Sequence, residues 1–298
     1  MKNNKYILYD NGNFLYYRSF IGGNPVIGKG NYGAVIKPDI KHGNDNYISK
    51  IFILPDRVNI AEFIHLETEL NRLDHKVIIL DQEQYKYHVS MIDIETINSS
   101  HNLEDLEYED RERYTYIATY EYAGISLDNI LISPKYDSII TPQFCKQLLI
   151  GFLNIFEGII YFAENGIHHN DTHSGNIVLM LENPSNMRLI DFNINHEPFL
   201  RRYRADSYNT HEQPKISIDL CEFFSVIIET LRKFMSIFKK KEENILLYKY
   251  FESLREYIGK SRDILEEKIP PVNLEFMGVI NDIMQNFKTQ INDIDPFI

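Results

Sequence analysis

Tryptophan is absent from this sequence, and cysteine occurs only twice, at Cys145 and Cys221. Both thiols lie in apolar patterns with helical spacing. They read as buried free thiols in a reducing compartment and not as a disulfide framework. No apolar run reaches the eighteen or so residues of a membrane span. The opening MKNNKYILYDNGNF lacks the apolar core of a secretory signal. Positive charge is scarce: 31 Lys and Arg against 43 Asp and Glu leave a net charge of −12. That balance argues against nucleic-acid binding by the whole surface. Much of the acid sits in one run, Glu104 to Glu112, which reads as a solvated loop. No tract is of low complexity. The abundant Asn, Ile, Lys and Tyr point to an AT-rich genome and carry nothing about fold.

What is present suffices for a substantial core: 44% of the 298 residues are hydrophobic. That length allows one large domain or two smaller ones sharing a cleft. The chain is organised around G-I-H-H-N-D-T-H-S-G-N-I-V-L-M from Gly166, a polar turn, and M-R-L-I-D-F-N ending at Asn193. Asp171 and Asn176 are five positions apart (176 − 171), and Asp191 follows twenty after Asp171 (191 − 171). An Asp, an Asn and a second Asp on loops beside two short strands can hold a hydroxyl and a metal-bound triphosphate together. Asp171 would accept or orient the hydroxyl proton. Asn176 and Asp191 would offer the hard oxygen ligands that magnesium prefers.

In chain order, residues 5–9 and 14–20 flank the turn D-N-G-N and read as a hairpin or a short extension. Then comes G-x-G-x-x-G-x-V at Gly28, Gly30, Gly33 and Val35. Glycines let backbone N–H groups approach phosphate oxygens without a Cβ in the way. A dinucleotide fingerprint would open a helix here, but A-V-I-K follows, so the pattern is strand, glycine turn, strand. Lys50 lies in the middle of the strand Y-I-S-K-I-F-I-L. It is either a snorkelling edge residue or a grip on the α- and β-phosphates that needs an acidic partner. The helix from about Asn59 to Asp74 can supply one. Phe63, Leu66, Leu70 and Leu73 form its apolar stripe, and Glu67 borders that stripe more closely than Glu62 or Glu69. V-I-I-L and K-Y-H-V-S-M-I-D-I read as two more strands. A further strand runs into the linker Glu121 to Gly124, whose backbone at Glu121 to Ala123 could meet a purine.

From Thr141 the pattern turns helical. Thr141-Pro142 is an N-cap with proline at the first position, and Gly166 ends the stripe that follows. Arg201 to Arg204 are either an exposed basic loop or a phosphate-facing one. An apolar helix starts near Asp219. Lys239 to Lys241 read as a solvated turn, and helices around 243–258, 261–268 and 273–291 finish the chain.

The order of glycine loop, strand lysine, helix glutamate, linker, H-x-D-x-x-x-x-N and D-F-x resembles the protein-kinase fold over roughly residues 20–235. The Asn- and Tyr-rich style is similar to divergent Ser/Thr kinases of large DNA viruses. The resemblance implies an α+β, two-lobed fold. The first lobe, to about residue 122, would be a small antiparallel sheet with one main helix. The second, from about 123, would be mostly helical. It implies ATP and Mg2+ as cofactors, with ATP bound by Ile27, Gly28, Gly30, Gly33, Val35, Lys50, Glu121 and Ala123. Lys50 would hold the α- and β-phosphates and pair with Glu67, Asp171 would be the catalytic base, and Asn176 and Asp191 would hold magnesium. Tyr120 falls at the gatekeeper position, and Asp219 where an aspartate braces the catalytic loop. A protein substrate and a cytoplasmic setting, in a host cell or virion, would follow.

There are departures. His169-Asn170-Asp171 lacks the arginine that docks an activation-loop phosphate. His173 stands where the family has a catalytic lysine, and an imidazole stabilises a γ-phosphate less than an ammonium does. Asn193 replaces the last glycine of D-F-G, and asparagine tolerates left-handed backbone. No A-P-E is visible, and 28 positions (219 − 191) separate Asp191 from Asp219. The D-x-H-x-G-N pattern is also similar to aminoglycoside and choline kinases. A pseudokinase that binds a nucleotide or partner without turnover is the third reading. His168, His169 and His173 lack other clustered ligands, so they read as structural or phosphate-facing groups and not as a metal site.

Overall fold

The structure is a computed structural model. It describes residues 6–7, 17–18, 26–29, 33–40, 43–54, 59–73, 79–80, 83–84, 86–98, 103, 114–192, 215–239, 244–267 and 274–294. The chain forms two compact units. Unit 1 comprises Met1–His75 and His88–Tyr122, and unit 2 comprises Lys76–Tyr87 and Ala123–Ile298. The class is mixed α+β, with an antiparallel sheet in the N-terminal part and a mostly helical C-terminal part, as expected.

In unit 1, β1 (Tyr6–Ile7) and β2 (Tyr17–Arg18) pair antiparallel, which realises the hairpin alternative. Five further strands make the main sheet: β3 (Val26–Lys29), β4 (Gly33–Ile36), β5 (Tyr47–Phe52), β8 (Met91–Thr96) and β9 (Tyr116–Glu121). Their order is β3-β4-β5-β9-β8, and every neighbouring pair is antiparallel. Alternation sorts the side chains onto two faces. One face carries Ala34, Ile36, Ile51 and Ile117, which pack with Leu103 and Tyr114 into a buried core. The other face carries Ile48, Lys50, Phe52 and Tyr120. Helix α1 (Ile60–Leu73) covers this second face. Phe52 meets Phe63 at 5.2 Å between ring centres, and Asn71 Nδ2 donates to the Met91 carbonyl at 2.8 Å.

Two strand expectations need correction. Of V-I-I-L, Val77 and Ile78 lie outside the described residues, and the described pair forms β6 (Ile79–Leu80). It pairs with β7 (Glu83–Gln84) in a ribbon of its own within unit 2, outside the main sheet. The following strand begins at Met91, later than the apolar run suggests. A two-residue strand has too little alternation to declare its sheet.

Unit 2 is built on α3 (Pro142–Glu164). Before it come α2 (Leu127–Ile132), capped by Ser126, and a 3-10 turn at Pro134–Ile139, neither of which the sequence reading separated. Thr141 caps α3, its Oγ1 accepting from Phe144 N at 3.2 Å. The helix ends where Gly166 takes a φ of 80°. Gly166 N donates to Ala163 O and Ile167 N to Phe162 O, the pair of bonds that closes a Schellman end. By length and composition α3 could cross a membrane, but 72% of its most apolar window is buried inside the fold. Phe152 and Phe156 are fully buried, each worth about 1.5–3 kcal/mol of apolar burial. They meet α4 (Lys215–Phe238) through edge-on contacts to Phe223 and Phe224.

A three-stranded antiparallel sheet, β10 (Ile125–Ser126), β11 (Ile177–Met180) and β12 (Asn183–Leu189), lies beside α3. Helix α5 (Ile245–Glu267) packs along α4, and α6 (Leu274–Asn292) completes the unit. Two helix expectations change. Helix α4 starts at Lys215, so Asp219 sits in its second turn. The pair expected at 243–258 and 261–268 is one helix. Gly259 has open space around it, and Ser261 Oγ back-bonds to Tyr257 O at 3.0 Å, so neither breaks the helix.

Cys145 is buried and Cys221 only half-buried, and neither is in a disulfide. Burial pushes the Cys145 thiol well above the ordinary cysteine range. Because only the thiolate alkylates, iodoacetamide is expected to spare Cys145 in the native protein and to label both thiols in guanidinium, as read by peptide mass spectrometry.

Candidate functional site

The expected residues fall in both units. In unit 1, Gly28 pairs with Val35 and Gly33 with Phe52, and a register shift between Val26 and Gly28 bends the ribbon at Ile27. Gly30 lies outside the described residues. Gly33 is required by sterics, because a Cβ there would stand 2.5 Å from the Ile51 carbonyl and 2.9 Å from Phe52 Cβ. Gly28 has ordinary room.

Lys50 is half-buried on β5, between Val35 on one side and Ala118 on the other. Its Nζ is 5.9 Å from the centre of the Phe52 ring. The helix that covers this face presents Glu67 to it. Among the three candidate glutamates only Glu67 is buried. Its Oε1 accepts from Tyr120 Oη at 3.1 Å, and its Oε2 lies 3.4 Å from His88 Nε2. Tyr120 and His88 are themselves buried, so the carboxylate sits in a polar pocket of its own unit. Sequence periodicity singled out Glu67 but neither of these partners. Of the alternates, Glu69 pairs with Arg72 at 2.8 Å on the helix surface, and that contact lowers its pKa. Glu62 closes a capping box at the helix start: its Oε2 accepts from Asn59 N at 3.4 Å, and its own N–H donates to Asn59 Oδ1 at 2.9 Å.

At the end of β9, Glu121 N donates to Ser90 O, and Tyr122 N to Asn46 O. Ala123 is buried and opens unit 2. Gly124 follows with a φ of 100°, its Cα pressed against the Leu179 carbonyl.

In unit 2 the loop after α3 brings the other residues together. Asn176 is buried, and its Nδ2 donates to the Asp171 carbonyl at 3.0 Å. That bond spends the amide nitrogen and leaves Oδ1 as the free end of the side chain for a ligand. The Asn176 carbonyl accepts from Ile190 N at 3.0 Å, one register step beyond the Ile177–Leu189 pair. Asn176 therefore lies opposite Ile190, the residue just before Asp191, at the root of the β11–β12 hairpin. Asp191 has a φ of 60°, as Asn170 has one of 61°. Left-handed backbone at two non-glycine residues, Asn170 just before Asp171 and Asp191 after β12, is the kind of strain that a surrounding network must hold.

Helix α4 supplies part of that network. The buried Asp219 accepts from His169 N at 2.9 Å and from Asn170 N at 2.7 Å. This is the brace expected of it. Glu222 Oε2 accepts from Thr172 N at 3.0 Å, a contact without any sequence signal. His169 places Nε2 2.9 Å from Ile190 O and its ring 4.5 Å from Phe192. Ser174 Oγ donates to Asp128 at 3.0 Å. The three histidines go to separate tasks, with His168 Nδ1 3.9 Å from Asp219.

His173 is half exposed. Its Nδ1 accepts from Gly175 N at 3.0 Å, so the neutral ring keeps its proton on Nε2. That nitrogen is 3.7 Å from Asp171 Oδ2. The ring lies directly on Gly175, where a Cβ would be 2.7 Å from His173 Cε1. Gly175→Ala is therefore expected to swing the ring off Asp171. Urea melts should show a stability change of only about 0.5 kcal/mol, because the ring is exposed. Any turnover that depends on Asp171 should fall roughly tenfold.

Asn193 and the basic stretch Arg201 to Arg204 lie outside the described residues, as do Glu104 to Glu112. Comparison of the sequence with protein-family models gives no match, and comparison with curated proteins gives none either.

Proposed function

We propose that this chain is an ATP-dependent kinase of the protein-kinase type, which transfers a phosphoryl group to a Ser or Thr hydroxyl of a protein. The observation that carries the reading is the loop of unit 2. There the Asp171 carbonyl is held by Asn176 Nδ2 and His173 N, the Asn170 N–H before it is held by Asp219, and Asp191 directly follows the residue that bonds to Asn176 across one hairpin. The supporting set is in unit 1: a glycine ribbon, Lys50 on its neighbouring strand, and Glu67 on the helix over the same face.

The donors fit magnesium. An amide oxygen whose nitrogen is already spent, beside a carboxylate, is a hard oxygen pair, and magnesium completes its shell with water and phosphate oxygens. When bound it would neutralise charge on the phosphates. The chain's own residues do the rest. Lys50 grips the α- and β-phosphates. Asp171 orients the acceptor hydroxyl and takes its proton as the oxygen bonds to the γ-phosphorus and the bond to the ADP oxygen breaks. His173, its proton on Nε2, faces Asp171 and the reacting groups. Catalysis then rests on positioning and charge neutralisation. A cytoplasmic setting, which keeps thiols reduced, goes with the proposal.

The test is transfer of label from γ-labelled ATP, with magnesium and with EDTA, to casein, a basic protein and a panel of small alcohols. Metal-dependent label on protein Ser or Thr supports the proposal. Label confined to a small alcohol moves the chain to the small-molecule kinases. ATP binding with no transfer to any acceptor overturns the enzyme reading in favour of a pseudokinase.

A further inference from the structure

We infer that Glu222 is a positioning residue for Asp171: together with Asp219 it holds the peptide N–H groups on both sides of that aspartate. The inference rests on the phosphoryl-transfer reading of Asp171 and adds a residue that the motifs do not contain.

Asp219 and Glu222 are three apart (222 − 219), so they project from one face of α4. Asp219 takes the N–H groups of His169 and Asn170, just before Asp171. Glu222 takes the N–H of Thr172, just after it, at 3.0 Å. Each bond is charge-assisted, which makes it shorter and stronger than a neutral one. The Asp171 carbonyl is held as well, by Asn176 Nδ2 at 3.0 Å and by His173 N at 3.1 Å. Thr172 is buried, whereas the Asp171 side chain is one-third exposed. The backbone around Asp171 is thus clamped inside the unit while its carboxylate reaches solvent.

Without Glu222 the peptide unit after Asp171 is held from its carbonyl end alone, and its N–H end is left to turn. Asn170 already has left-handed backbone, and a peptide unit that can rotate beyond it would carry the carboxylate with it. Glu222 closes that freedom. Its effect should therefore appear in the chemical step and not in nucleotide binding.

The experiment compares Glu222→Ala, Glu222→Gln and Glu222→Asp with the parent in the full chain. Glu222→Ala is expected to lower kcat about 10–100-fold while the Kd for magnesium ATP stays within about twofold. Glu222→Gln keeps an acceptor oxygen at the same reach and is expected to recover most of the rate. Parent-like kcat in Glu222→Ala, or equal losses in the alanine and glutamine variants, would overturn the inference. Should the alanine variant not fold, Glu222→Asp decides. It keeps the charge but falls short by about 1.5 Å, so kcat should drop with nucleotide affinity unchanged, and parent-like kcat overturns the inference. Hydrogen exchange reads the clamp without turnover. The Thr172 amide should lose protection in Glu222→Ala while His169 and Asn170 keep theirs, and unchanged protection at Thr172 overturns the clamp. A parent that transfers no phosphoryl group sinks the kinase reading, and the exchange result then judges the clamp by itself.

Discussion

Asp171→Asn is expected to lower phosphoryl transfer by about 10²–10⁴-fold, the range associated with a positioned proton acceptor. Asparagine has the same shape, and the network around it survives. The bonds that hold this position run through backbone: the Asp171 carbonyl to Asn176, and the flanking N–H groups to Asp219 and Glu222. What is lost is the negative charge and the capacity to take the hydroxyl proton. Magnesium ATP should bind with unchanged affinity, because Asp171 is not among the residues assigned to phosphates or metal. The check is a matched pair of measurements, single-turnover transfer and nucleotide titration. Transfer within roughly tenfold of the parent would remove Asp171 from the role assigned to it.

The largest expected effect on stability is at Gly124. Its φ of 100° is strained for any residue with a side chain, and a Cβ would stand 2.0 Å from the Leu179 carbonyl oxygen and 2.7 Å from Met180 N. Both obstacles are backbone in β11, so no rotamer change can relieve them. Gly124→Ala must push β10 away from β11 and break the Ile125–Leu179 and Ser126–Val178 pairing. The cost should exceed about 3 kcal/mol, adding backbone strain to overpacking. That is a large share of the 5–15 kcal/mol of a typical domain. Urea denaturation followed by far-UV circular dichroism would show it as a lower midpoint. A midpoint unchanged from the parent would mean that β10 does not press on β11 as described.

Much of the layout is legible in the sequence because long elements advertise their period. The stripe Phe63, Leu66, Leu70 and Leu73 marks α1 to within a residue at each end. Thr141-Pro142 and Gly166 mark both ends of α3, each through a local hydrogen-bonding device. The neighbourhood of Asn176 and Asp191 is legible because two short apolar runs with a polar turn between them make a hairpin, and a hairpin brings its two roots together. The rest is tertiary. Glu67 can be singled out by helix facing, but periodicity cannot say that Tyr120 and His88 will reach its carboxylate. Glu222 is one of two glutamates on an apolar helix, and only the fold shows which backbone N–H it meets. Gly259 looks like a place for a helix to stop, yet with empty space around it and a favourable helix on both sides, the cost of about 1 kcal/mol is absorbed.

The stretch Lys76–Tyr87 belongs to unit 2, although the chain then returns to unit 1 for another 35 residues (122 − 87). Tyr87 is buried there. Its ring lies against Tyr161 and Phe162, its side chain fills the space over Gly158, and its carbonyl accepts from Leu189 N. On a ribosome Leu189 emerges 102 residues after Tyr87 (189 − 87), about 5–20 s later at usual synthesis rates. Until Gly158, Tyr161 and Phe162 emerge the tyrosine ring has no partners to pack on, and until Leu189 emerges its carbonyl lacks that strand N–H. A gene fragment cut after Tyr122 would leave Tyr87 without those partners permanently, and a fragment begun at Ala123 would lack the side chain that packs on them. A cut at Tyr122 therefore separates Tyr87 from the residues it packs on in unit 2.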